Sequence, residues 1–161
     1  MRFRRNEIFW FSAPQRKSKK NMFSASSASL RWIKLDINQL SNKIIGAAIE
    51  VHRGLGPGLL ESAYEECLCY ELKLREISYD RQLGLPVLYK EKQLDCGYRI
   101  DVLVEKSIIL ELKAVDKIEA IHKAQLLTYL KLSNISLGLI LNFNVPVMRD
   151  GIVRVVNEFK E

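Results

Sequence analysis

Two β-forming stretches of this 161-residue chain are interrupted by charged residues. Asp101 lies inside the apolar run of residues 97–104, and Glu111 and Lys113 alternate with leucines in residues 108–113. A carboxylate within an apolar strand destabilises the fold unless it is paired or coordinates a cation. The two stretches therefore predict strands whose charged side chains meet at one place.

The connection between these strands fixes which residues face each other. Glu105 and Lys106 form a short polar link, which predicts a tight hairpin. If the hairpin is centred near Lys106, Asp101 lies opposite Glu111, because antiparallel partners keep a constant sum of positions. Lys113 is two residues beyond Glu111 and points to the same face. The sequence thus predicts two carboxylates and one ammonium group on one patch.

Such a patch has two interpretations. Opposed carboxylates repel each other, and a hard divalent cation such as Mg²⁺ or Mn²⁺ relieves the repulsion through oxygen ligands. The metal can activate water and stabilise charge on a phosphoryl group, and the lysine can orient the water or stabilise the transition state. The same spacing also fits an ordinary cross-strand salt bridge with no chemical role. Spacing alone leaves both interpretations open.

The remaining sequence predicts helices and further strands. Apolar residues at three- and four-residue steps predict helices over 37–53, 59–75 and 117–132. Residues rich in β-formers predict strands over 78–82, 86–89, 94–104, 107–115, 137–143 and 151–156, with a polar turn at 90–92. The order of two helices, a β-meander, one helix and two strands predicts an α/β fold in which helices flank a mixed sheet.

Two predicted helices carry further candidate residues. Glu61 and Tyr64 lie one turn apart on the second helix, and Gln125 and Tyr129 lie four residues apart on the third. For both tyrosines the alternative is core packing with a solvated hydroxyl, and this alternative is favoured for Tyr64. The two histidines of the chain are predicted to be solvated or to cap helices, because neither has a partner spaced for a metal motif.

The positive charge of the chain is concentrated at its beginning. Residues 1–33 hold eight of the 25 basic residues and one of the 19 acidic ones, which leaves 17 basic and 18 acidic residues in 34–161. The body is close to neutral, so the net charge of +6 is weak evidence that it binds DNA. Residues 1–33 are predicted to be a disordered basic extension. A transit peptide, a nucleic-acid arm and an extension from an upstream start are the alternatives.

Membrane insertion and disulfide bonding are not expected. The chain has no run of about 18 uninterrupted apolar residues, which a membrane span requires. Its three cysteines are an odd number and lack C-x-x-C spacing, so neither a disulfide framework nor a zinc site is predicted. This cysteine usage is typical of a reducing cytoplasm, which is the predicted location.

Residues 40–157 resemble the GxxExxY family, a bacterial and archaeal branch of the PD-(D/E)XK nuclease superfamily. Gly58, Glu61 and Tyr64 stand at the positions of the family's signature. Five further segments are family-like: 44–52, 97–101, 111–115, 125–129 and 142–143. The resemblance covers nearly all of the body and none of residues 1–33.

The resemblance implies a restriction-endonuclease-like α/β/α domain over residues 34–161. Asp101, Glu111 and Lys113 would be the superfamily's Asp…Glu-x-Lys, and Glu61 the helix acid that completes the metal site. Substrate-positioning roles are implied for Gln125, Tyr129 and Tyr64, the first two as a Gln-x-x-x-Tyr element.

The implied function is metal-dependent hydrolysis of phosphodiester bonds, with DNA as the expected partner and Mg²⁺ or Mn²⁺ as the cofactor. A non-catalytic module that binds nucleic acid or protein is the alternative, because superfolds host many functions. Hydrolysis of another phosphoester is a third possibility. The sequence leaves the oligomeric state open.

Overall fold

The computed structural model describes residues 36–94 and 97–157, and the predicted extension at residues 1–33 lies outside them. The described part contains three α-helices: α1 (Ile37–Leu55), α2 (Glu61–Leu74) and α3 (Ala120–Ser133). Its strands are β1 (Tyr79–Gly84), β2 (Val87–Tyr89), β3 (Lys92–Leu94), β4 (Arg99–Val104), β5 (Ile108–Lys113), β6 (Leu137–Asn142) and β7 (Ile152–Val156). A short 3-10 helix, Met148–Gly151, precedes β7. None of the helices in these residues combines the length and apolarity needed to cross a membrane.

A five-stranded sheet forms the centre of the fold. Its strand order is β1-β4-β5-β6-β7, with β5 and β6 parallel and the other pairs antiparallel. Apolar residues of α1 and α2 pack on one face of this sheet, and those of α3 pack on the other. The predicted mixed sheet flanked by helices is therefore confirmed.

The ends of α1 follow from its flanking residues. The Asp36 side chain accepts a hydrogen bond from the Asn38 N–H at 3.1 Å, which satisfies a backbone donor at the start of the helix. The helix ends before Gly56, whose φ of 67° lies in the left-handed region that favours glycine. Between these ends, Ile44, Ala48 and Val51 are buried, as their spacing predicted.

The predicted meander is wrong in one respect. Residues 94–104 were expected to form one strand, but β3 ends at Leu94 and β4 begins at Arg99, with residues 95 and 96 outside the described part. Strands β2 and β3 form their own two-stranded sheet, and β1 pairs with β4 instead. Gly97, at φ 65°, turns the chain before β4. The β2–β3 hairpin is thus an insertion between two paired strands.

The hairpin that joins β4 and β5 has the predicted register. Glu105 and Lys106 both have positive φ, 47° and 53°, and the Ser107 N–H donates to the Val104 carbonyl at 2.9 Å, which closes a tight turn. The observed pairs run from Val104↔Ile108 to Val102↔Leu110 and keep the predicted constant sum of positions. The turn therefore directs Asp101 and Glu111 toward each other.

Candidate active site

Asp101 lies where the backbone pairing of β4 is interrupted. The β1–β4 ladder contains the pairs on either side of Asp101 but skips Asp101 and Gln82. The β4–β5 ladder ends at Val102↔Leu110, so it does not include Asp101 either. Oδ2 of Asp101 accepts a hydrogen bond from the Leu112 N–H at 2.9 Å. A carboxylate therefore takes the place of a backbone acceptor between the two strands.

Glu111 is the most buried acid at the site. Only 2% of the residue is exposed, and its Oε1 accepts hydrogen bonds from Lys113 Nζ at 2.7 Å and from Gln125 Nε2 at 3.2 Å. Its other oxygen, Oε2, is buried and has no hydrogen-bond partner among the described residues. A buried oxygen without a partner destabilises the fold unless a ligand satisfies it.

Negative charge exceeds positive charge around Asp101 and Glu111, and the pKa values of the site reflect this excess. Burial, and after it the charge of Asp101, raise the pKa of Glu111 to about 7 against the opposing effect of Lys113. Burial also raises the pKa of Asp101, although the Leu112 hydrogen bond and Lys113 lower it. For Lys113, burial lowers the pKa, but the bond to Glu111 and the charges of the nearby acids outweigh burial and raise it. One ammonium group does not compensate the carboxylates, so the site favours another cation.

The residues present fit a hard divalent cation. Asp101 and Glu111 supply carboxylate oxygens, one of them unpartnered, and Mg²⁺ is usually held by one or two carboxylates while it keeps several waters. Among the described residues, no three Asp, Glu, His or Cys side chains are grouped closely enough to hold one ion. Glu61, exposed at the start of α2, is therefore not a third direct ligand in this structure. Its charge still raises the pKa of Glu111.

Gln125 and Tyr129 of α3 are brought to the same acid. Gln125 Nε2 donates to the Tyr129 hydroxyl at 2.7 Å as well as to Glu111. Tyr129 is 4% exposed, and its pKa is raised by burial and by the charge of Glu111, while the Gln125 bond lowers it. The side chain of Gln125 thus holds Oε1 of Glu111 and is itself oriented by Tyr129.

Tyr64 is covered by the core, so the prediction that it positions substrate by contact is wrong. The side chain is fully buried and stacks on Phe143 with ring centroids 4.4 Å apart. Its hydroxyl donates to the Gly56 carbonyl at 2.7 Å and accepts from the Leu59 N–H at 3.1 Å. The core packing is confirmed, but the predicted solvation of the hydroxyl is wrong, because the hydroxyl instead closes the glycine-rich loop that precedes Glu61.

Replacing Tyr64 by phenylalanine is expected to lower the free energy of unfolding by about 1–3 kcal/mol, because the Gly56 and Leu59 backbone groups lose their partner. Chemical denaturation would measure this change. Tyr70→Phe is the matched control, since Tyr70 lies on the same helix and is 62% exposed. Equal stability of the two variants would contradict the role of the Tyr64 hydroxyl.

The histidines have structural contacts. Nδ1 of His122 accepts a hydrogen bond from the Glu119 N–H at 3.0 Å at the start of α3, so the capping prediction is confirmed for this residue. His52 is 8% exposed, and its Nε2 donates to the Val145 carbonyl at 2.8 Å. His52 is therefore neither solvated nor a cap, and it links α1 to the segment after β6.

Three residues that were not predicted from the sequence form a network at the β1 position across from Asp101. Glu65 is 8% exposed and accepts from Arg81 Nε at 2.9 Å through Oε1 and from Gln82 Nε2 through Oε2. Gln82 occupies the position across from Asp101 on β1 and has a φ of 52°, which is strained for a residue with a side chain. The bonds of Glu65 to Arg81 and Gln82 thus stabilise the conformation of β1 in which Asp101 has no backbone partner on that strand.

Glu65→Gln is expected to lower the free energy of unfolding by about 1–2 kcal/mol and to reduce the stabilisation that Mg²⁺ provides, because Gln82 and Asp101 lose a fixed position. Glu66→Gln provides the control. Glu66 also pairs with Arg81, at 2.7 Å, but its side chain is 71% exposed, so the change should be within about 0.5 kcal/mol. Thermal denaturation with and without Mg²⁺ measures both effects, and indistinguishable variants would contradict them.

Comparison with known proteins adds one finding. The family model of the PD-(D/E)XK nuclease superfamily matches residues 38–155, a range that contains α1 from Asn38 onward, the five-stranded sheet up to Val155, and the residues of the site. No curated protein and no solved structure matches the chain. The match is made at the level of the superfamily and does not single out the GxxExxY branch.

Proposed function

Since the chain belongs to the PD-(D/E)XK nuclease superfamily, we propose that it is a divalent-metal-dependent nuclease that hydrolyses phosphodiester bonds in DNA. The observation that supports this most is the unpartnered, buried Oε2 of Glu111 beside Asp101. An oxygen with no hydrogen-bond partner among residues 36–94 and 97–157, next to a second carboxylate, is suited to a cation such as Mg²⁺ or Mn²⁺.

Asp101 and Glu111 would hold this cation. When bound there, a divalent ion activates water and neutralises negative charge on a phosphoryl group. The hydrogen bonds of Lys113 and Gln125 to Oε1 of Glu111 fix the carboxylate so that Oε2 remains available. Glu61 adds negative charge at the start of α2, where it would orient water around the ion.

The ammonium group of Lys113 is the positively charged group that contacts Glu111. Its side chain is 14% exposed, and its Nζ is held by a 2.7 Å hydrogen bond to Oε1 of Glu111. An ammonium group held in place can donate to a phosphate oxygen or to the attacking water without reorganisation at the moment of reaction. Lys113 therefore acts as an electrostatic catalyst rather than as a metal ligand.

A non-catalytic module that binds nucleic acid or protein is the second candidate. It is favoured by the charge of residues 34–161, where 17 basic and 18 acidic residues provide no excess of positive charge for binding phosphates. In that case the same carboxylates would bind an ion that only stabilises the fold.

An assay of the purified protein against several substrates distinguishes these functions. Labelled single-stranded DNA, duplex DNA, RNA and a small synthetic phosphodiester would each be incubated with Mg²⁺, Mn²⁺ or EDTA. We expect DNA fragments only when metal is present, and none from Asp101→Asn protein purified in the same way. Cleavage of RNA alone would change the substrate, cleavage of the small ester alone would identify another phosphoesterase, and absence of all products would favour the binding module.

A further inference from the structure

A groove of about 470 Å³ opens beside the candidate active site. One face of α3 lines it, together with Val87 of β2 and Tyr98, which precedes β4. Two of its α3 residues are Gln125 and Tyr129, and Gln125 also donates to Glu111. The groove and the carboxylates therefore share one wall, and a molecule that extends from the site along α3 enters the groove.

The side chains that line the groove determine which part of a nucleotide it can bind. Its lining contains aliphatic side chains, two tyrosines, one amide and one hydroxyl, with no charged side chain. Tyr98 is 48% exposed, and its ring meets that of Tyr129 edge-on with centroids 6.2 Å apart. The lining has no cationic side chain, which is the strongest partner of a phosphate group. A nucleobase, which has a flat apolar face and polar edges, fits a half-exposed aromatic ring.

Charge next to the groove agrees with a single strand as its ligand. Arg99 follows Tyr98, is exposed, and lines with it a second cavity of about 660 Å³. A base on Tyr98 would therefore have a guanidinium group nearby for its own backbone phosphate. Residues 34–161 lack the excess of basic residues that binding a duplex backbone requires, whereas stacking of a base does not depend on net charge.

We propose that the groove receives an unpaired nucleobase of the strand that is cut, stacked on Tyr98. The preferred substrate is then single-stranded DNA, or DNA with unpaired nucleotides beside the scissile bond. This proposal rests on the nuclease function proposed above. In an intact duplex the bases are already stacked and paired, so a base reaches the groove only after it is flipped out, and that costs free energy.

Binding and cleavage of matched oligonucleotides test the proposal. Fluorescence anisotropy in EDTA measures binding of a single strand and of its blunt duplex without any cleavage. We expect Tyr98→Ala to weaken binding of the single strand by at least about tenfold, the loss typical of one stacked base, and Tyr98→Phe, which keeps the ring, to bind like the wild type. Tyr70→Ala is the control, because Tyr70 is an exposed tyrosine of α2, on the other face of the sheet.

Two further results complete the test. With Mg²⁺, the wild type should cut the single strand faster than the blunt duplex, and Tyr98→Ala should raise KM more than it lowers kcat. Equal affinity of wild type and Tyr98→Ala for the single strand, or equal cleavage of single strand and duplex, would overturn the proposal. If the wild type cuts nothing but binding depends on the Tyr98 ring, the groove is supported and the nuclease function is wrong.

Discussion

Replacing Lys113 by methionine is expected to slow DNA cleavage by at least about 100-fold while the fold and metal binding are retained. Methionine keeps the length and apolar stem of the side chain but removes the ammonium group. The loss of one preorganised charge at the reacting phosphate typically has this magnitude. Because Lys113 also neutralises Glu111, the metal-free variant should melt at a lower temperature, and Mg²⁺ should stabilise it by more than it stabilises the wild type.

Single-turnover cleavage at saturating Mg²⁺ measures this effect. Lys117→Met is the matched control, because Lys117 lies four residues further along the chain and its side chain is 79% exposed. If the Glu111–Lys113 pair were only a structural salt bridge, Lys113→Met would lower the stability but would leave the cleavage rate unchanged. Cleavage by Lys113→Met at the rate of the wild type would therefore contradict the catalytic role.

Glu111→Gln is expected to abolish cleavage and metal-induced stabilisation and yet to raise the melting temperature of the metal-free protein. The amide preserves the shape of the side chain and leaves its carbonyl oxygen available to Lys113 and Gln125. It removes a charge that burial and Asp101 make unfavourable in the folded state. A folded-state pKa near 7, against 4.5 for an ordinary glutamate, corresponds to a gain on the order of 3 kcal/mol above pH 7.

The pH dependence of this gain has a definite sign. The folded metal-free wild type keeps a proton on Glu111 up to a pH near 7, whereas the unfolded chain loses it near 4.5. The folded state therefore binds more protons in this window, and stability falls as the pH rises through it. The gain from Glu111→Gln should be small at pH 4 and largest above pH 7. Glu91→Gln, at an exposed turn, is the control, and a metal-free Glu111→Gln protein less stable than the wild type at pH 8 would contradict the prediction.

Local patterns predicted the parts of the fold that depend on nearby residues. The spacing of Ile44, Ala48 and Val51 predicted the buried face of α1. The short polar link Glu105-Lys106 predicted a hairpin centred near Lys106, and the β4–β5 pairs have the register that this centre gives. The sequence therefore predicted correctly which residues of β4 and β5 face each other.

Features that depend on distant contacts could not be predicted in the same way. The β2–β3 insertion was missed because β-propensity does not reveal which strands pair, and β1 and β4 are separated by that insertion. Glu65, Arg81 and Gln82 interact over 16 and 17 positions in the chain, and their charges and polarity are ordinary for exposed residues. The position of Glu65 four residues after Glu61, on the same side of α2, is the one sequence signal that could have drawn attention to it.

The roles of the candidate residues differ from their sequence-based prediction where burial matters. Tyr64 and Glu61 lie one turn apart on α2, yet Tyr64 is fully buried and Glu61 is exposed. A helical repeat shows which residues share a face but does not reveal how deeply each is covered. The unpartnered oxygen of Glu111 likewise depends on the packing of α3 against the sheet, which places Gln125 at the other oxygen.

Single-turnover cleavage of labelled single-stranded DNA during a Mg²⁺ titration tests the central claim most directly. The wild-type rate should be zero in EDTA and should rise to a plateau as Mg²⁺ is added, because the proposed function requires an ion held by Asp101 and Glu111. Asp101→Asn keeps an acceptor for the Leu112 N–H and should remain folded, but its rate should stay at the EDTA level at every Mg²⁺ concentration. A wild-type rate that does not respond to Mg²⁺, or an Asp101→Asn rate that rises with it as in the wild type, would contradict the claim that these two carboxylates form a catalytic metal site.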